Sequence, residues 1–279
     1  MSENPAAVPL QKLANGAEIP MIGLGTWTMD DTEAGAAVRS AIDVGYRLFD
    51  TAENYGNEVG IGEGIARSPL ARNEVFLTSK FNAEWHSFDG VRQAWRHSIE
   101  QLGVDYIDLL LIHWPNPERG TYVDAYKGLA KLLAKGKVRA IGTSNFTQSQ
   151  LTELMDATGV VPDVNQIQHS PLWMRADDIA FHQRHGIHTQ AWAPLARGGV
   201  LEAAPVVEAA TAHQKTPAQV VLRWNLQHGA SPIPKSEDPG RMASNLDVFG
   251  FELDAAQMSA IDALDGTGDA PVDPMVFGH

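Results

Sequence analysis

The sequence predicts an α/β protein, a single (β/α)8 TIM barrel with an N-terminal β-hairpin and extra helices. Three observations predict it. Eight short apolar runs alternate with segments of helical period along the 279 residues. The central runs, such as Ile-Asp-Leu-Leu-Leu-Ile at 107–112, are almost continuously apolar, as parallel strands covered on both faces are. No Pro/Gly/Ser-rich linker or composition shift divides the chain, so residues 1–279 read as one domain.

Taken in order, residues 9–13 and 18–21 flank Asn15-Gly16, a pair that tolerates positive φ and signals a hairpin. A short strand at 22–26 precedes a helix that opens with Asp30 and Glu33 spaced as a capping box. Further strands are predicted at 46–50, 75–80, 107–113, 138–144, 164–168, 188–192 and 231–235. Helices are predicted between them at 58–67, 89–102, 122–134, 148–157, 177–184, 203–213 and 217–228, with 241–246 and 255–264 at the end. Repeated strand–helix units require parallel pairing, and eight of them favour closure over an open sheet.

Hydrophobic residues make up 44% and charged residues 20%, enough to build a large core and too apolar for a disordered chain. The net charge of -13 weighs against a nucleic-acid or anionic-membrane surface. With no cysteine there is neither a disulfide framework nor a thiol nucleophile. Met-Ser-Glu-Asn-Pro lacks the features of a secretion signal, and no apolar run nears a membrane-spanning length. The expectation is a cytoplasmic monomer whose partner is a small molecule.

In a barrel of this kind the C-terminal strand ends converge on one mouth, where active sites lie. Those ends read Thr26-Trp27, Asp50, Lys80, His113, Ser144-Asn145, Gln166, Trp192 and Lys235-Ser236. Tyr55 follows Asp50 in a Gly/Asn-rich turn. A phenol titrates near 10, and lowering it to about 7 requires roughly 4 kcal/mol. A cation about 4 Å away at an effective dielectric of about 20 supplies that amount. Lys80 is thus expected to lower the phenol, with desolvation opposing it, while Asp50 keeps the lysine charged and His113 orients a substrate oxygen. An acid, a phenol, an amine and an imidazole are the parts for protonating an oxygen as negative charge builds on it.

The motifs that carry these residues resemble those of the aldo-keto reductases. They are Gly45-Tyr46-Arg47-Leu48-Phe49-Asp50-Thr51-Ala52 with Tyr55-Gly56-Asn57-Glu58, then Leu111-Ile112-His113-Trp114-Pro115. Ile141-Gly142-Thr143-Ser144-Asn145-Phe146, Asn165-Gln166-Ile167-Gln168 and Ile233-Pro234-Lys235-Ser236 follow in the family's order. Chain length and Gly159-Val160-Val161-Pro162 most resemble the bacterial branch that contains 2,5-diketo-D-gluconic acid reductases.

The resemblance implies NADPH binding without a Rossmann domain and the reduction of aldehydes or ketones. It implies Tyr55 as general acid, with Asp50, Lys80 and His113 completing the catalytic set. Gly25, Thr26, Ser144, Asn145 and Gln166 match cofactor-binding positions, the last three at the nicotinamide carboxamide. Trp192 matches the stacking aromatic and Leu195 a pyrophosphate contact. Lys235 and Ser236 match the binders of the 2′-phosphate, and Arg241, Ser244 and Asn245 match the adenine end. Trp27 and Trp114 are expected to wall the carbonyl pocket. No metal is implied. One departure stands out: Glu237 and Asp238 precede Arg241, where members of the family it resembles often have neutral or basic residues. Their repulsion of a 2′-phosphate should narrow the preference for NADPH, with NADH as the second cofactor.

Blander readings exist. Gly60, Gly62 and Gly64 imitate a dinucleotide fingerprint but fall inside a predicted helix. His182, His185 and His188 imitate a zinc site, yet a solvated helix end is the expectation. Two other functions compete: a Schiff-base lyase using Lys80, which needs a neutral amine that Asp50 opposes, and a non-catalytic NADP(H) binder.

Overall fold

The computed structural model describes residues 8–278. The reading of the first residues as lacking a secretion signal falls largely on residues 1–7, outside the described residues. β1 (Leu10–Lys12) and β2 (Glu18–Pro20) form the antiparallel hairpin. Of the turn pair only Gly16 adopts positive φ, at 90°. Asn15 works through its side chain instead, donating to Asp163 Oδ2 at 2.9 Å and to the Arg139 carbonyl at 2.8 Å. The hairpin is thereby tied to the barrel, and its Leu13 and Ile19 join the inner apolar cluster.

Eight parallel strands follow: β3 (Leu24–Gly25), β4 (Leu48–Asp50), β5 (Phe76–Phe81), β6 (Ile107–Ile112), β7 (Val138–Ser144), β8 (Val164–Gln168), β9 (His188–Trp192) and β10 (Ala230–Ile233). They pair strictly in chain order. A parallel bridge between Gly25 and Lys235, with Gly25 N–H donating to the Pro234 carbonyl at 3.1 Å, closes the ring. Glycine suits the closing edge, since a Cβ on Gly25 would crowd the Ile233 carbonyl at 3.0 Å. β10 ends at Ile233, earlier than predicted, where Pro234 has no N–H to give the ladder.

Helices α1 (Asp31–Val44), α2 (Glu58–Ala66), α3 (Gly90–Leu102), α4 (Tyr122–Ala134), α5 (Gln148–Thr158) and α6 (Ala176–His185) fill the first six crossovers. α7 (Ala204–His213) and α8 (Pro217–Gln227) lie between β9 and β10, and α9 (Pro239–Leu246) and α10 (Ala255–Asp262) come after β10. The predicted capping box at α1 is present, with Asp30 and Glu33 each accepting the other's backbone N–H. The glycines of α2 serve helix packing: a Cβ on Gly60 would meet the Asp31 carbonyl at 1.9 Å, and one on Gly62 the Leu102 carbonyl at 2.0 Å. The solvated helix end predicted for the α6 histidines holds for His185, which is exposed, and is corrected for His182. His182 is fully buried, bonded to Asn165 and Thr189, because its helix face packs on β8 and β9. Among the described residues no helix is long and apolar enough to cross a membrane.

The two-residue period of the strands sorts the barrel interior by height. Leu48, Phe76, Leu109, Ala140 and Val164 form the apolar floor with the hairpin. Two or four residues further along the same inward phase come Asp50, Lys80, His113, Ser144 and Gln166. Each of these five strands, β4 to β8, thus changes from apolar to polar as it rises.

Candidate active site

Register explains the first contact. Asp50 is the last residue of β4 and pairs with Thr78 of β5, so Lys80 stands one pleat higher on the same face. Lys80 Nζ meets Asp50 Oδ1 at 2.6 Å and donates to the Thr51 carbonyl at 2.9 Å, with 1% of the lysine exposed. The other Asp50 oxygen accepts from Gln166 Nε2 at 2.8 Å across the barrel. Both carboxylate oxygens are therefore engaged. Burial is the largest influence on the lysine and acts to lower it. The Asp50 charge, Tyr55 and hydrogen bonds to both outweigh it, so the ammonium is held above its ordinary value.

Tyr55 ends a three-residue 3-10 turn, Glu53–Tyr55, closed by Gly56 at φ 67°. Buried Asn57 pins the turn to the loop after β3: it accepts from the Thr51 hydroxyl at 2.7 Å and donates to the Thr26 and Met29 carbonyls at 2.9 and 3.0 Å. Lys80 Nζ lies 5.1 Å from the centre of the Tyr55 ring. His113, directly after β6, presents its ring edge-on to the phenol at 5.7 Å, and its Nδ1 is 3.1 Å from Asn82 Oδ1.

The charge arithmetic from sequence is corrected at this point. Burial is the largest influence on the Tyr55 phenol and pushes it up; Lys80 pulls it down, Asp50 pushes it up, and the net direction is upward. The cause is that Asp50 offsets much of the lysine charge while desolvation acts on the phenolate in full. Tyr55 therefore keeps its proton at neutral pH, available for donation. A charged, buried Lys80 likewise disfavours the neutral amine that a Schiff-base lyase requires.

Asp50, Tyr55 and His113 open onto a cavity of about 650 Å³ at the C-terminal mouth, together with Gly25, Thr26, Trp27, Trp114, Ser144, Asn145, Gln166, Trp192, Leu195, Lys235 and Arg241. Lys80 lies behind this wall. Asn145, at φ 65°, accepts from the Trp192 indole at 2.8 Å and donates to Ser144 Oγ at 3.0 Å, linking three predicted cofactor positions. Of the predicted set, Ser236, Ser244 and Asn245 do not reach the cavity wall. Ser236 Oγ accepts from the Asp238 N–H at 3.2 Å, and Asn245 is buried near the Tyr46 hydroxyl. Lys235 Nζ contacts Thr28 Oγ1 at 2.8 Å and Glu237 at 3.0 Å. Asp238 caps α9, accepting the Arg241 N–H at 2.7 Å.

Sequence reasoning missed Arg197 as a wall residue. Arg197 sets its guanidinium 5.1 Å over the Trp27 ring, which is 52% exposed. Its run Ala193-Pro194-Leu195-Ala196-Arg197-Gly198 turns through left-handed φ at Ala193, Ala196, Arg197 and Gly198, and Gly198-Gly199 was the only local signal. Val272 and Phe277 arrive from the C-terminal segment, anchored where the Val272 N–H donates to Gln168 Oε1 at 2.9 Å. Phe277 lies edge-on to buried Trp114 at 4.8 Å.

A phenol, an ammonium–carboxylate pair and an imidazole at the mouth of such a barrel, beside a cavity of cofactor size, are groups that can together protonate an oxygen. The chain belongs to the aldo/keto reductase family, whose sequence model matches residues 21–266. A Mycolicibacterium vanbaalenii "Aldo-keto reductase" is 45% identical over 98% of this chain and 98% of its own. The Corynebacterium "2,5-diketo-D-gluconic acid reductase B" is 44% identical over 92% of this chain and 94% of its own. Among solved structures, a Gox0644 mutant in complex with NADPH superposes with a TM-score of 0.93 at 42% identity, over 98% of this chain and 100% of that one.

Proposed function

We propose that this chain reduces aldehyde or ketone groups of small molecules with NADPH, and that Tyr55 is the general acid. The observation that carries the reading is the convergence of Asp50, Tyr55 and His113, with Lys80 bound to Asp50 behind them, on the wall of a cavity that Lys235 and Arg241 also line.

The residues suit the cofactor. Trp192 offers an aromatic face, Ser144, Asn145 and Gln166 offer amide and hydroxyl groups for a carboxamide, and Lys235 and Arg241 offer cations for a 2′-phosphate. When bound, NADPH supplies the hydride. The chain's own work is to hold the carbonyl between Trp27, Trp114 and His113, to keep water from it, and to deliver the Tyr55 proton to its oxygen. Asp50 and Gln166 keep Lys80 in place, and Lys80 stabilises the phenolate left behind. Likeness to NADPH-complexed neighbours supports the cofactor, and the relative named for 2,5-diketo-D-gluconic acid places polar keto acids in the substrate panel. Loss of NADPH absorbance against a panel of aldehydes, ketones and keto acids tests the reading. Tight NADPH binding with no turnover across that panel would favour the non-catalytic binder.

Cofactor preference gives a further expected result. Glu237 already occupies Lys235, so a 2′-phosphate must displace or tolerate it. Glu237→Gln is expected to tighten NADPH about two- to fivefold, the size of a partly exposed charge effect, and to leave NADH nearly unchanged. Asp238 is tested as Asp238→Asn, which keeps the cap on α9. Equal effects on both cofactors, measured by fluorescence titration, would refute the electrostatic argument.

A further inference from the structure

The turn that carries Tyr55 has little order of its own. Its backbone bonds run from Tyr55 N–H to the Ala52 carbonyl at 3.0 Å and from Gly56 N–H to the Glu53 carbonyl at 3.2 Å, and no side chain caps its start. Asn57 holds one flank. On the other, the Trp85 indole N–H lies between the two Glu53 carboxylate oxygens, at 2.7 and 2.9 Å. Trp85 closes a second 3-10 turn, Ala83–Trp85, in the loop that leaves β5.

That loop is itself fixed. Arg119 donates to the Ala83 carbonyl at 2.7 Å, and the Trp85 ring stacks on His97 of α3 with centres 6.5 Å apart. The stretch from Lys80 to Trp85 therefore serves three groups at once. It contains Lys80, it faces His113 through Asn82, and it grips the Tyr55 turn through Glu53. Neither Glu53 nor Trp85 lines the cavity, so neither touches a substrate or cofactor there.

We propose that Glu53 and Trp85 are a positioning pair for the Tyr55 phenol, locking its turn to the loop that also carries Lys80 and orients His113. The proposal rests on the reading of Tyr55 as the acid. A charged acceptor strengthens this bond, and a partly buried site protects it from screening. Proton transfer needs hydrogen-bond reach, and a misplacement of about 1 Å can cost a hundredfold in rate. A clasp on a three-residue turn acts at that scale.

The test compares wild type, Trp85→Phe, Glu53→Ala, Glu53→Gln and the double variant Trp85→Phe/Glu53→Ala, all assayed well below the lowest unfolding midpoint. Trp85→Phe and Glu53→Ala are each expected to lower kcat about tenfold, with KM and the NADPH Kd within about twofold. The double variant should be no slower than the slower single variant, since both remove one shared contact. Glu53→Gln should recover much of the loss, because its amide oxygen still accepts the indole proton. Unchanged kcat in both single variants, additive losses in the double, or losses that fall on cofactor binding would each overturn the positioning pair. If the double variant does not fold, the single-variant kcat and KM values with the Glu53→Gln rescue decide the matter alone. Wild-type turnover in the same assay keeps the two readings apart: an inactive wild type removes the acid assignment itself, whereas fully active variants of a working enzyme remove only the clasp.

Discussion

Tyr55→Phe is expected to lower kcat about a thousandfold while changing the NADPH Kd by less than about twofold. The substitution removes one hydroxyl and keeps the ring that packs edge-on against His113 and under Lys80. The Asp50–Lys80 pair stays intact, so the loss reports the removed hydroxyl, which is both the proton donor and a partner of Lys80. A phenol pushed upward by burial is protonated throughout the neutral range, so the wild-type kcat should show no loss of the acid form between pH 6 and about 8. Steady-state rates with a good carbonyl substrate, beside a fluorescence titration of cofactor, check both statements. A Tyr55→Phe enzyme within tenfold of wild type would sink the assignment.

The second large effect is expected at Asp50. Asp50→Asn leaves the Lys80 ammonium buried without its counter-ion, and breaking such a pair costs about 3–5 kcal/mol. The unfolding midpoint should fall by several degrees and turnover by about a hundredfold, since Gln166 also loses its charged acceptor. The pH dependence has a definite sign. Lys80 is held above its ordinary 10.5, so its contribution to stability is complete below pH 10.5 and is lost as pH rises through the higher folded-state value. The wild type should therefore show a stability loss above pH 10.5 that Asp50→Asn lacks. Thermal melts from pH 7 to 11 measure it, and parallel curves for the two proteins would refute the ion-pair account. Borohydride with a carbonyl substrate should trap no adduct on wild-type Lys80, whereas trapping would restore the lyase reading.

Much of this site was legible before any coordinates. Asp50, Lys80 and His113 announce themselves as polar residues ending apolar strands, and the barrel sends strand ends to one mouth. Tyr55 was reachable through its short spacing from Asp50 in a turn. The supporting polar groups were not. Asn57, Asn82, Glu53 and Trp85 look like ordinary turn residues, and their partners lie 31 or 32 positions away in three of the contacts. Gln166 was read as a cofactor contact alone because nothing local ties it to Asp50, 116 residues earlier.

The sign of the Tyr55 shift shows the same division. A sequence supplies the charges, but desolvation depends on how tightly the walls close, and here it exceeds the pull of the lysine. His182 failed for a related reason: one helix face looks solvated until a sheet is laid against it. The arrival of Phe277 beside Trp114 and the stacking of Arg197 on Trp27 also depend on where two distant loops end up in space.

Period, apolar run length and turn chemistry thus determined the barrel and the inward phase of Asp50, Lys80, His113, Ser144 and Gln166, because these are properties of adjacent residues. Distance, burial and shared partners are properties of pairs far apart in the chain. Only the closed tertiary structure decided those, and with them which way the Tyr55 phenol shifts and what holds it in place.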